Sequence, residues 1–334
     1  MKISFLEIED WERSFLTTSL NGHQLDFYSE HINEKNLKSL TETEILSIFI
    51  YSNLNSDVID KMPNLKLIVT RSMGFDHIDL KYCKKKGITV CNVPTYGGNT
   101  VAEHAFALIL NISRNIVSSV ERTRKGNFEV DNLRGFDLYG KTIGVVGIGH
   151  IGKEVIRIAH GFGMKVLVFA RHPSEELARK LKVSFHSLNE LLRLSDIVSF
   201  HVPHTKETHH MINKRNVGKF KKGSILINTA RGGLIQTEAI LYGLEKGVFK
   251  AVGLDVLEEE CGIKEETELL TGRFIETCDL KTQLFNHVLL NKENVYITPH
   301  NAFNSNEALD TILHVTKDNI LGFIDRTPVN MVNI

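Results

Sequence analysis

The sequence predicts an α/β protein with two doubly wound parallel sheets. Short apolar runs rich in β-branched residues alternate with helical stretches along the 334 residues of the chain, as in sheets that helices cover on both faces. The runs fall into two sets, and a chain of this length is long enough for two domains of ordinary size. A glycine-rich turn follows the first run of the second set.

The first set of predicted strands ends near Pro94, before a helical stretch predicted over 100–122. Its members are Lys2–Ile8, Leu25–Tyr28, Ile45–Tyr51, Leu65–Thr70 and Thr89–Val93. The second set starts after a polar stretch, 125–140. Its members are Thr142–Val146, Lys165–Ala170, Ile197–Val202, Ser224–Asn228, Ala251–Val256 and Val295–Thr298.

The last helical stretch, Asn306–Phe323, is followed by no strand, so we expect it to pack against the first sheet. The second domain, 101–299, would then be inserted into a first domain that is built from both ends of the chain, 1–100 and 300–334. The chain would thus pass between the two domains twice.

Composition argues against several classes of function. The 40 basic and 40 acidic side chains balance, so no net field favours nucleic acid or a membrane surface. No apolar stretch approaches the roughly 18 residues of a membrane span, and acidic residues stand near the N-terminus where a signal peptide needs an apolar core. The cysteines form no C-x-x-C pair and are interpreted as buried thiols of a cytoplasmic protein. They are Cys83, Cys91, Cys261 and Cys278.

Several histidines crowd one region of the second half. They are His172, His201, His204, His209 and His210. These residues lack acidic or cysteine partners at the spacing of metal ligands. We therefore interpret them as polar residues of loops and strand ends, and we expect no metal site.

The most informative motif is the segment TIGVVGIGHIG, which places glycines in a G-x-G-x-x-G pattern between a strand and a helix. Gly147 permits a tight turn, Gly149 lets the backbone approach a pyrophosphate, and Gly152 lets the helix pack closely on the strand. The pyrophosphate would lie on free N–H groups at the start of that helix, near His150 and Ile151. This context favours dinucleotide binding over a plain glycine turn.

The residues after the next predicted strand indicate which dinucleotide binds. An NAD site usually carries an acidic residue about 20 positions after the glycines, where it binds the ribose hydroxyls. Here Ala170, Arg171 and His172 follow the strand, and the first carboxylate is Glu175. A guanidinium pairs well with the 2′-phosphate of NADP, so we favour NADP(H). In the alternative, Arg171 is a solvated turn residue, and Glu175 or Glu176 binds the ribose of NAD.

Three polar segments follow later strands, at the edge where open α/β sheets bind their ligands. Their sequences are INTARGG, GLDVLEEE and TPHNAF. Together they offer an arginine, a glutamate and a histidine beside the expected nicotinamide.

The chain resembles the D-2-hydroxyacid dehydrogenase family. The matching segments follow the family's order over nearly the whole chain, and they are RSMGFDHID (71–79), NVPTYGGNTVAEHA (92–105), the glycine pattern, HVPHTKETHHMI (201–212), NTARGGLI (228–235), GLDVLEEE (253–260) and TPHNAF (298–303). The resemblance implies a Rossmann nucleotide-binding domain inserted into a flavodoxin-like substrate domain. It also implies hydride transfer between NAD(P)H and a 2-oxo acid, such as pyruvate, hydroxypyruvate or glyoxylate, to give a D-2-hydroxy acid.

The resemblance assigns three catalytic residues, and the chemistry fits each of them. Arg231 would hold the carboxylate and the carbonyl oxygen of the substrate with its guanidinium fork. His300 would donate the proton, because an imidazole titrates near neutral pH. Glu260 would hold the His300 ring and favour its protonated form. Family spacing selects Glu260 over the adjacent Glu258 and Glu259.

Alternatives to these roles are a structural ion pair for Arg231 and an ordinary core or loop histidine at position 300, and the flanking motifs disfavour both. The family usually has a proline soon after the glutamate. This chain continues instead with Cys261 and a longer segment to Asp279, which resembles the D-lactate dehydrogenase-like branch.

Further binding residues are implied by the resemblance alone. On the substrate side they are the backbone N–H groups of Met73 and Gly74 and the side chains of Tyr96 and Phe303, although both aromatic residues could equally be ordinary core. On the cofactor side they are Thr100, Val202, Pro203, Thr208, Thr229, Ala230 and Asp255, with His300 also beside the nicotinamide.

The helix that begins near Thr100 matches the dimerisation region of the family, so we expect a homodimer. Its apolar residues could instead belong to the core of the domain. They are Val101, Ala105, Leu108, Ile109 and Ile112. His104, in the same helix, is expected to be structural.

Other functions on the same fold remain as alternatives. A nucleotide-sensing corepressor or scaffold would keep the site and act without turnover, but such relatives usually carry long disordered tails, which we do not expect in this chain. Phosphite oxidation would call for an additional basic residue near Met73, where Arg71 stands alone. A phosphoglycerate dehydrogenase would usually have a regulatory domain after the position of Ile334.

Overall fold

The structure is a computed structural model that describes residues 1–259 and 279–332. It divides into two compact units, Met1–Gly97 with Ser305–Ile334, and Gly98–Asn304. Within the described ranges, every helix is too short or too polar to span a lipid bilayer.

The first unit is built on a parallel five-stranded sheet. Its strands are β1 (Lys2–Phe5), β2 (Gln24–Phe27), β3 (Ile45–Ile48), β4 (Leu67–Thr70) and β5 (Thr89–Cys91). They lie in the order β2-β1-β3-β4-β5. This order is that of flavodoxin-like folds, whose ligands bind at the carboxyl edge of the sheet.

Helices cover both faces of the first sheet. Numbered in chain order, they are α1 (Asp10–Ser19), α2 (Glu34–Leu37), α3 (Ser56–Ile59), α4 (Leu80–Lys86) and α12 (Asn306–Ile324). Successive strand residues point to opposite faces, so Leu67 and Val69 share a core with Leu313 of α12, whereas Ile68 packs into the core on the other face. The C-terminal helix therefore packs on the first sheet.

The second unit is built on a parallel seven-stranded sheet. Its strands are β6 (Thr142–Val146), β7 (Lys165–Phe169), β8 (Ser184–Phe185), β9 (Ile197–Phe200), β10 (Ser224–Asn228), β11 (Phe249–Leu254) and β12 (Val295–Ile297). They lie in the order β12-β11-β10-β9-β6-β7-β8. Counted from β6, this is the Rossmann order with one further strand at an edge. The predicted fold class, two doubly wound parallel sheets, is confirmed.

Helices also cover both faces of the second sheet. They are α5 (Gly98–Arg114), α6 (Ile116–Arg124), α7 (His150–Gly161), α8 (Glu175–Leu181), α9 (Leu188–Leu194), α10 (Thr237–Glu245) and α11 (Leu280–Leu290). One core joins α5 and α7 to the sheet. A second core joins α9, α10 and α11 to the opposite face.

Element ends differ from the predicted ones for identifiable reasons. The helix predicted over 100–122 is interrupted at Asn115, whose backbone is left-handed with φ of 51°, a conformation that asparagine tolerates better than most residues. Several predicted strands run too long, because apolar residues such as Leu6 and Val202 continue past the last strand residue into the following loop. The strand β8 is only two residues long, too short for any periodic pattern.

Candidate active site

The glycine pattern forms a tight turn at the carboxyl end of β6. Gly147 has a left-handed φ of 102°, and a Cβ there would stand 2.5 Å from the carbonyl oxygen of His201. A Cβ on Gly152 would overlap the carbonyl oxygen of Gly147, whereas the space around Gly149 is open within 4 Å. The first and third glycines are therefore needed for packing, and the second leaves the backbone accessible to a ligand.

The N-terminus of α7 begins at this turn. Gly149 is its N-cap, and within the described part of the chain no side chain caps the helix, so the first N–H groups, including those of His150 and Ile151, are left for a ligand. A Cβ on Gly98 would lie only 3.3 Å from the carbonyl carbon of His150. The first turn of α5, with Thr100, thus lies against the glycine turn. These features fit the pyrophosphate of a dinucleotide.

Three buried polar atoms near the carboxyl ends of the second sheet lack a hydrogen-bond partner within the described residues. They are Nδ1 of His201, Oγ1 of Thr229 and Oδ1 of Asn301. Burial lowers the pKa of His201 to about 3, so its ring is neutral, and its Nε2 lies 2.8 Å from Oγ of Ser199. Buried polar atoms are normally paired, and orphaned ones at a ligand edge fit a polar ligand such as a nicotinamide nucleotide.

The end of β7 and the loop after β9 carry the residues predicted to bind the adenosine half. Arg171 and His172 are exposed and follow β7. An Arg171 Nη2 atom lies 3.9 Å from Oε2 of Glu207, in the loop after β9. In that loop Oγ1 of Thr208 donates to the carbonyl oxygen of Pro203 at 2.7 Å, so the predicted residues Val202, Pro203 and Thr208 belong to one ordered turn.

The loop after β10 presents Arg231. Asn228, at the end of the strand, is buried; its Oδ1 accepts from the N–H of Ala230 at 3.1 Å, and its Nδ2 donates to the carbonyl oxygen of Arg231 at 2.9 Å. A Cβ on Gly232 would overlap the carbonyl oxygen of Leu257. The loop that carries Arg231 is thus held by the hydrogen bonds of Asn228 and by its contact with the loop after β11.

Asp255, at the end of β11, organises the loop after β12. Its side chain is 1% exposed. Its Oδ1 accepts from Oγ1 of Thr298 at 2.5 Å and from the N–H of Asn301 at 3.0 Å, and its Oδ2 accepts from the N–H of Ala302 at 2.9 Å. Nε2 of His104, in α5, lies 2.9 Å from Oγ1 of Thr298 and 3.4 Å from Oδ1 of Asp255.

His300 lies in the sequence between Thr298 and Asn301, two of the residues that Asp255 binds. Its backbone is left-handed, with φ of 52°, and its N–H donates to the carbonyl oxygen of Thr298 at 2.9 Å. A non-glycine residue in this region costs about 1–3 kcal/mol and persists where the surroundings enforce it. The bonds from Asp255 to the next two N–H groups supply that enforcement. Asp255, predicted to contact the cofactor, thereby also positions the predicted proton donor.

Among the three adjacent glutamates, Glu258 and Glu259 form hydrogen bonds with different partners. Glu258 is bound on both carboxylate oxygens: Oε1 pairs with Nε2 of His210, and Oε2 accepts from the N–H and the Oγ1 of Thr237, each at 2.9 Å. Its carbonyl oxygen accepts from Nδ2 of Asn286 at 2.8 Å. Glu259 accepts from the N–H of Asp279 at 2.7 Å. Glu260, the predicted partner of His300, lies outside the described residues.

The Glu258 network was not foreseen from the sequence. His210 has a left-handed φ of 47°, and its N–H donates to the carbonyl oxygen of Gly233 at 2.8 Å. Glu258 therefore joins the loops after β9 and β11 to the start of α10, and His210 contacts the loop after β10. No spacing rule connects positions 210, 237, 258 and 286. The run of three glutamates was therefore the only sequence signal for this network.

Three of the crowded histidines, His204, His209 and His210, interact with one another. Nε2 of His204 lies 3.0 Å from Nδ1 of His209, and the rings of His209 and His210 stack with centroids 3.8 Å apart. Burial, followed by the neighbouring His210 and His204, lowers the pKa of His209. Among the described residues, no group of three or more His, Cys, Asp or Glu side chains could hold a metal ion.

The residues predicted on the substrate side divide between the units. Met73, Gly74 and Tyr96 belong to the first unit, and Phe303 to the second. Nδ2 of Asn92 donates to the carbonyl oxygen of Met73 at 2.8 Å, and Oγ of Ser72 donates to that of Gly74 at 2.6 Å. These bonds fix the backbone of the loop after β4, at the carboxyl edge of the first sheet.

The chain is similar to one protein family and to several proteins of known activity or structure. Residues 106–302 match the family described as D-isomer specific 2-hydroxyacid dehydrogenase, NAD binding domain. The chain is 32% identical to D-lactate dehydrogenase of Escherichia coli over 324 residues, which cover 96% of each protein. It is 33% identical to glyoxylate reductase of Pyrococcus horikoshii over 294 residues, which cover 86% of this chain and 81% of that protein. The crystal structure of D-lactate dehydrogenase from Aquifex aeolicus, complexed with NAD and lactic acid, matches with a TM-score of 0.85 at 38% identity and covers 97% of this chain and 96% of that one.

Proposed function

The chain belongs to the D-isomer-specific 2-hydroxyacid dehydrogenase family, and from that premise we propose that NADPH is its preferred cofactor and that Arg231, Glu260 and His300 carry the reaction. It is an NAD(P)-dependent oxidoreductase that reduces a 2-oxo acid to a D-2-hydroxy acid. When bound, the reduced nicotinamide supplies the hydride.

The arrangement of three neighbouring loops supports the catalytic part of the proposal. The loops after β10, β11 and β12 leave adjacent strands at one edge, and they carry Arg231, Glu258 and His300. Gly232 packs on Leu257, and Asp255 binds the hydroxyl of Thr298 before His300 and two backbone N–H groups after it. Preorganised groups of this kind stabilise charge that develops in a transition state without further reorganisation.

Each proposed catalytic residue has a distinct task. The guanidinium of Arg231 would bind the substrate carboxylate and stabilise the negative charge that grows on the carbonyl oxygen. The ring of His300 would donate a proton to that oxygen. Glu260 would hold the ring and favour its protonated form. Both carboxylate oxygens of Glu258 are already bonded within the chain, which favours Glu260 over Glu258 for this role.

Arg171 supports the preference for NADPH. It follows β7, the strand whose end contacts the ribose in Rossmann sites, and neither it nor its neighbours Ala170 and His172 is acidic. A guanidinium binds a phosphate in a bidentate manner, whereas a carboxylate at this place would repel it. The Ser174 side chain caps α8 at the N–H of Leu177, which places Glu175 and Glu176 in the first turn of that helix.

The relatives suggest a small substrate. D-lactate dehydrogenase and glyoxylate reductase are among them, so we expect pyruvate, glyoxylate or hydroxypyruvate to be reduced. The roles of Met73, Gly74, Tyr96 and Phe303 toward the substrate stay predictions.

The test is steady-state oxidation of NADPH and of NADH with pyruvate, glyoxylate, hydroxypyruvate and phenylpyruvate. We expect fast oxidation of NADPH with one of the smaller acids. Fast oxidation of NADH alone would overturn the cofactor preference and leave the reaction intact. Tight nucleotide binding without turnover on any acid would favour the corepressor or scaffold alternative.

We also propose a homodimer, through residues other than the apolar residues of α5. On α5, Val101, Ala105, Leu108, Ile109 and Ile112 are buried, and all of them except Val101 contribute to the core of the second unit. The exposed apolar residues lie just beyond, on α6 and in the segment that follows it. They are Ile116, Val117, Val120, Phe128 and Val130. Exposed apolar residues concentrated in one segment in this way support an interaction surface there.

Sedimentation velocity tests the dimer. The double variant Val117→Asp, Val120→Asp should sediment as a monomer at a concentration where the wild type is a dimer, because two carboxylates would be buried in the interface. Leu194→Asp, at an exposed position on α9, is the control and should leave the dimer intact. A monomeric wild type would overturn the proposal.

The cellular compartment is proposed from the thiols. Cys83 and Cys91 are free and buried, and burial raises the pKa of each to about 11. Such thiols are unreactive and suit a reducing cytoplasm.

A further inference from the structure

Arg171 is paired with a carboxylate that comes from another loop. Its Nη2 lies 3.9 Å from Oε2 of Glu207, and the two side chains are 70% and 66% exposed. Glu207 stands 36 positions after Arg171 in the sequence, on the loop that follows β9. The acidic residue that NAD sites usually carry at the end of β7 is therefore absent from that strand, but a carboxylate is present in its neighbourhood.

The strand order of the sheet places this pair beside the expected cofactor site. The strands β9, β6 and β7 are neighbours in that order, so the ends of β7 and β9 flank the glycine turn at the end of β6. A dinucleotide whose pyrophosphate lies on that turn would extend its adenosine ribose towards the end of β7. The Arg171–Glu207 pair reaches from one flank to the other across this region.

Glu207 is held in place by its own loop. Its Oε2 accepts from Oγ1 of Thr205 at 2.7 Å, and the N–H of Thr205 donates to Oγ1 of Thr208 at 2.7 Å. The hydroxyl of Thr205, the nearby Arg171 and Lys206 lower the pKa of Glu207. The carboxylate is thus ionised at neutral pH and restrained toward Arg171.

We propose that Glu207 is a second determinant of cofactor specificity, which opposes Arg171. Its carboxylate competes with the 2′-phosphate of NADPH for the guanidinium, and it can accept hydrogen bonds from the ribose hydroxyls of NADH. The inference rests on the proposed use of NADPH through Arg171. It gives the site a ligand for the ribose hydroxyls of NADH although the end of β7 carries no acidic residue.

The expected effect is moderate. Exposed ion pairs contribute little, because solvent screens them and both side chains must be ordered. We expect Glu207→Gln to shift the preference toward NADPH by about fivefold, through tighter binding of NADPH and weaker binding of NADH. The shift should shrink at high ionic strength, since the Debye length falls to about 3 Å at 1 M salt.

Binding of two fragments that lack the nicotinamide provides a measurement free of turnover. The dissociation constants of 2′-phospho-ADP-ribose and of ADP-ribose would be measured calorimetrically for the wild type, Glu207→Gln, Thr205→Val and Arg171→Ala. The control is Glu245→Gln, which removes the same charge from an exposed position on α10, where the side chain is 73% exposed. The ratio of kcat/KM for NADPH and NADH would be measured in parallel.

The inference predicts that Glu207→Gln raises the preference for the 2′-phosphorylated fragment about fivefold, that Thr205→Val raises it less, and that Glu245→Gln leaves it unchanged. An unchanged preference in Glu207→Gln, with a reduced one in Arg171→Ala, would overturn the inference and keep the NADPH proposal. An unchanged preference in Arg171→Ala, with weaker ADP-ribose binding in Glu207→Gln, would overturn the NADPH proposal and leave Glu207 as the ribose ligand. An equal shift in Glu245→Gln would show that only net charge matters and would also overturn the inference.

Discussion

Two regions at the carboxyl edge of the same sheet are built in opposite ways. Around Asp255, a side chain that is 1% exposed binds the hydroxyl of Thr298 and two backbone N–H groups that follow His300. Around Arg171, one ion pair of 3.9 Å joins two side chains that are mostly exposed. The first region fixes a single geometry, whereas the second leaves its charges adjustable.

This difference separates two kinds of function on one sheet. Chemistry requires groups whose positions do not reorganise during the reaction, and buried, fully bonded networks provide such positions. Discrimination between two cofactors that differ by one phosphate requires only a balance of charges, which exposed side chains can set. Substitutions in the first region should therefore change rates by orders of magnitude, and those in the second should change ratios.

The largest effect is expected at Arg231 and His300. Arg231→Ala and His300→Ala should each lower kcat by roughly a thousandfold or more, because the developing oxyanion loses its stabilising cation or its proton donor. The dissociation constant of NADPH, measured by nucleotide fluorescence, should change little, since the glycine turn is untouched. Arg215→Ala and His287→Ala, both at exposed positions, are the controls. Turnover within tenfold of the wild type in either active-site variant would contradict the assignment.

The next effect distinguishes two neighbouring carboxylates. Glu260→Gln should lower kcat by about a hundredfold, because the proposed partner of His300 loses its charge. Glu258→Gln should leave kcat within tenfold and lower the free energy of unfolding by about 1–3 kcal/mol, since the neutral amide loses the charge that strengthens the bonds to Thr237 and His210.

Steady-state kinetics and urea unfolding of both variants make this comparison. If Glu258→Gln loses more turnover than Glu260→Gln, family spacing has selected the wrong carboxylate. If Glu260→Gln instead loses only stability, its role is structural.

A smaller effect concerns pH and the buried ring of His201. Burial lowers its pKa to about 3 in the folded protein, against about 6.5 in an unfolded chain. Between these values the unfolded chain binds a proton that the folded protein excludes, so acidification favours unfolding. The His201 contribution to the free energy of unfolding should therefore fall by about 1.4 kcal/mol per pH unit below pH 6.

Urea unfolding at pH 7, 6 and 5 measures this contribution. His201→Gln retains a polar side chain near Ser199 without a titrating ring, and the stability difference between it and the wild type should move in its favour at each lower pH. His172→Gln, at an exposed position after β7, is the control. Parallel pH profiles for the wild type and His201→Gln would contradict a buried neutral ring.

More of the fold than of the site could be predicted from the sequence. Alternating apolar runs predicted both sheets, because strand burial on two faces leaves a local pattern. The left-handed break at Asn115 and the two-residue strand β8 left no such pattern. The positions of single glycines, by contrast, were informative, because Gly147 and Gly152 stand where any side chain would collide with backbone.

Within the site, the motifs predicted which residues stand at the strand ends but not what each one bonds. Asp255 was expected at the cofactor, and its bonds to the His300 loop depend on contacts between residues more than 40 positions apart. Glu207 and Glu258 were not singled out, because their partners Arg171 and His210 lie on other loops. Such pairs follow from strand order, which local patterns do not encode.

The smallest effect in this series is expected beside Arg171, at the end of β7. Ala170→Asp places a carboxylate at the end of β7, beside Arg171, where it should pair with the guanidinium and repel a 2′-phosphate. We expect the ratio of kcat/KM for NADPH over NADH to fall about tenfold, opposite in direction to Glu207→Gln. Ala170→Asn, which has nearly the same size and no charge, is the control, because Ala170 packs partly against the core. An unchanged ratio in Ala170→Asp would mean that Arg171 does not discriminate between the cofactors, and equal changes in both variants would assign the effect to packing.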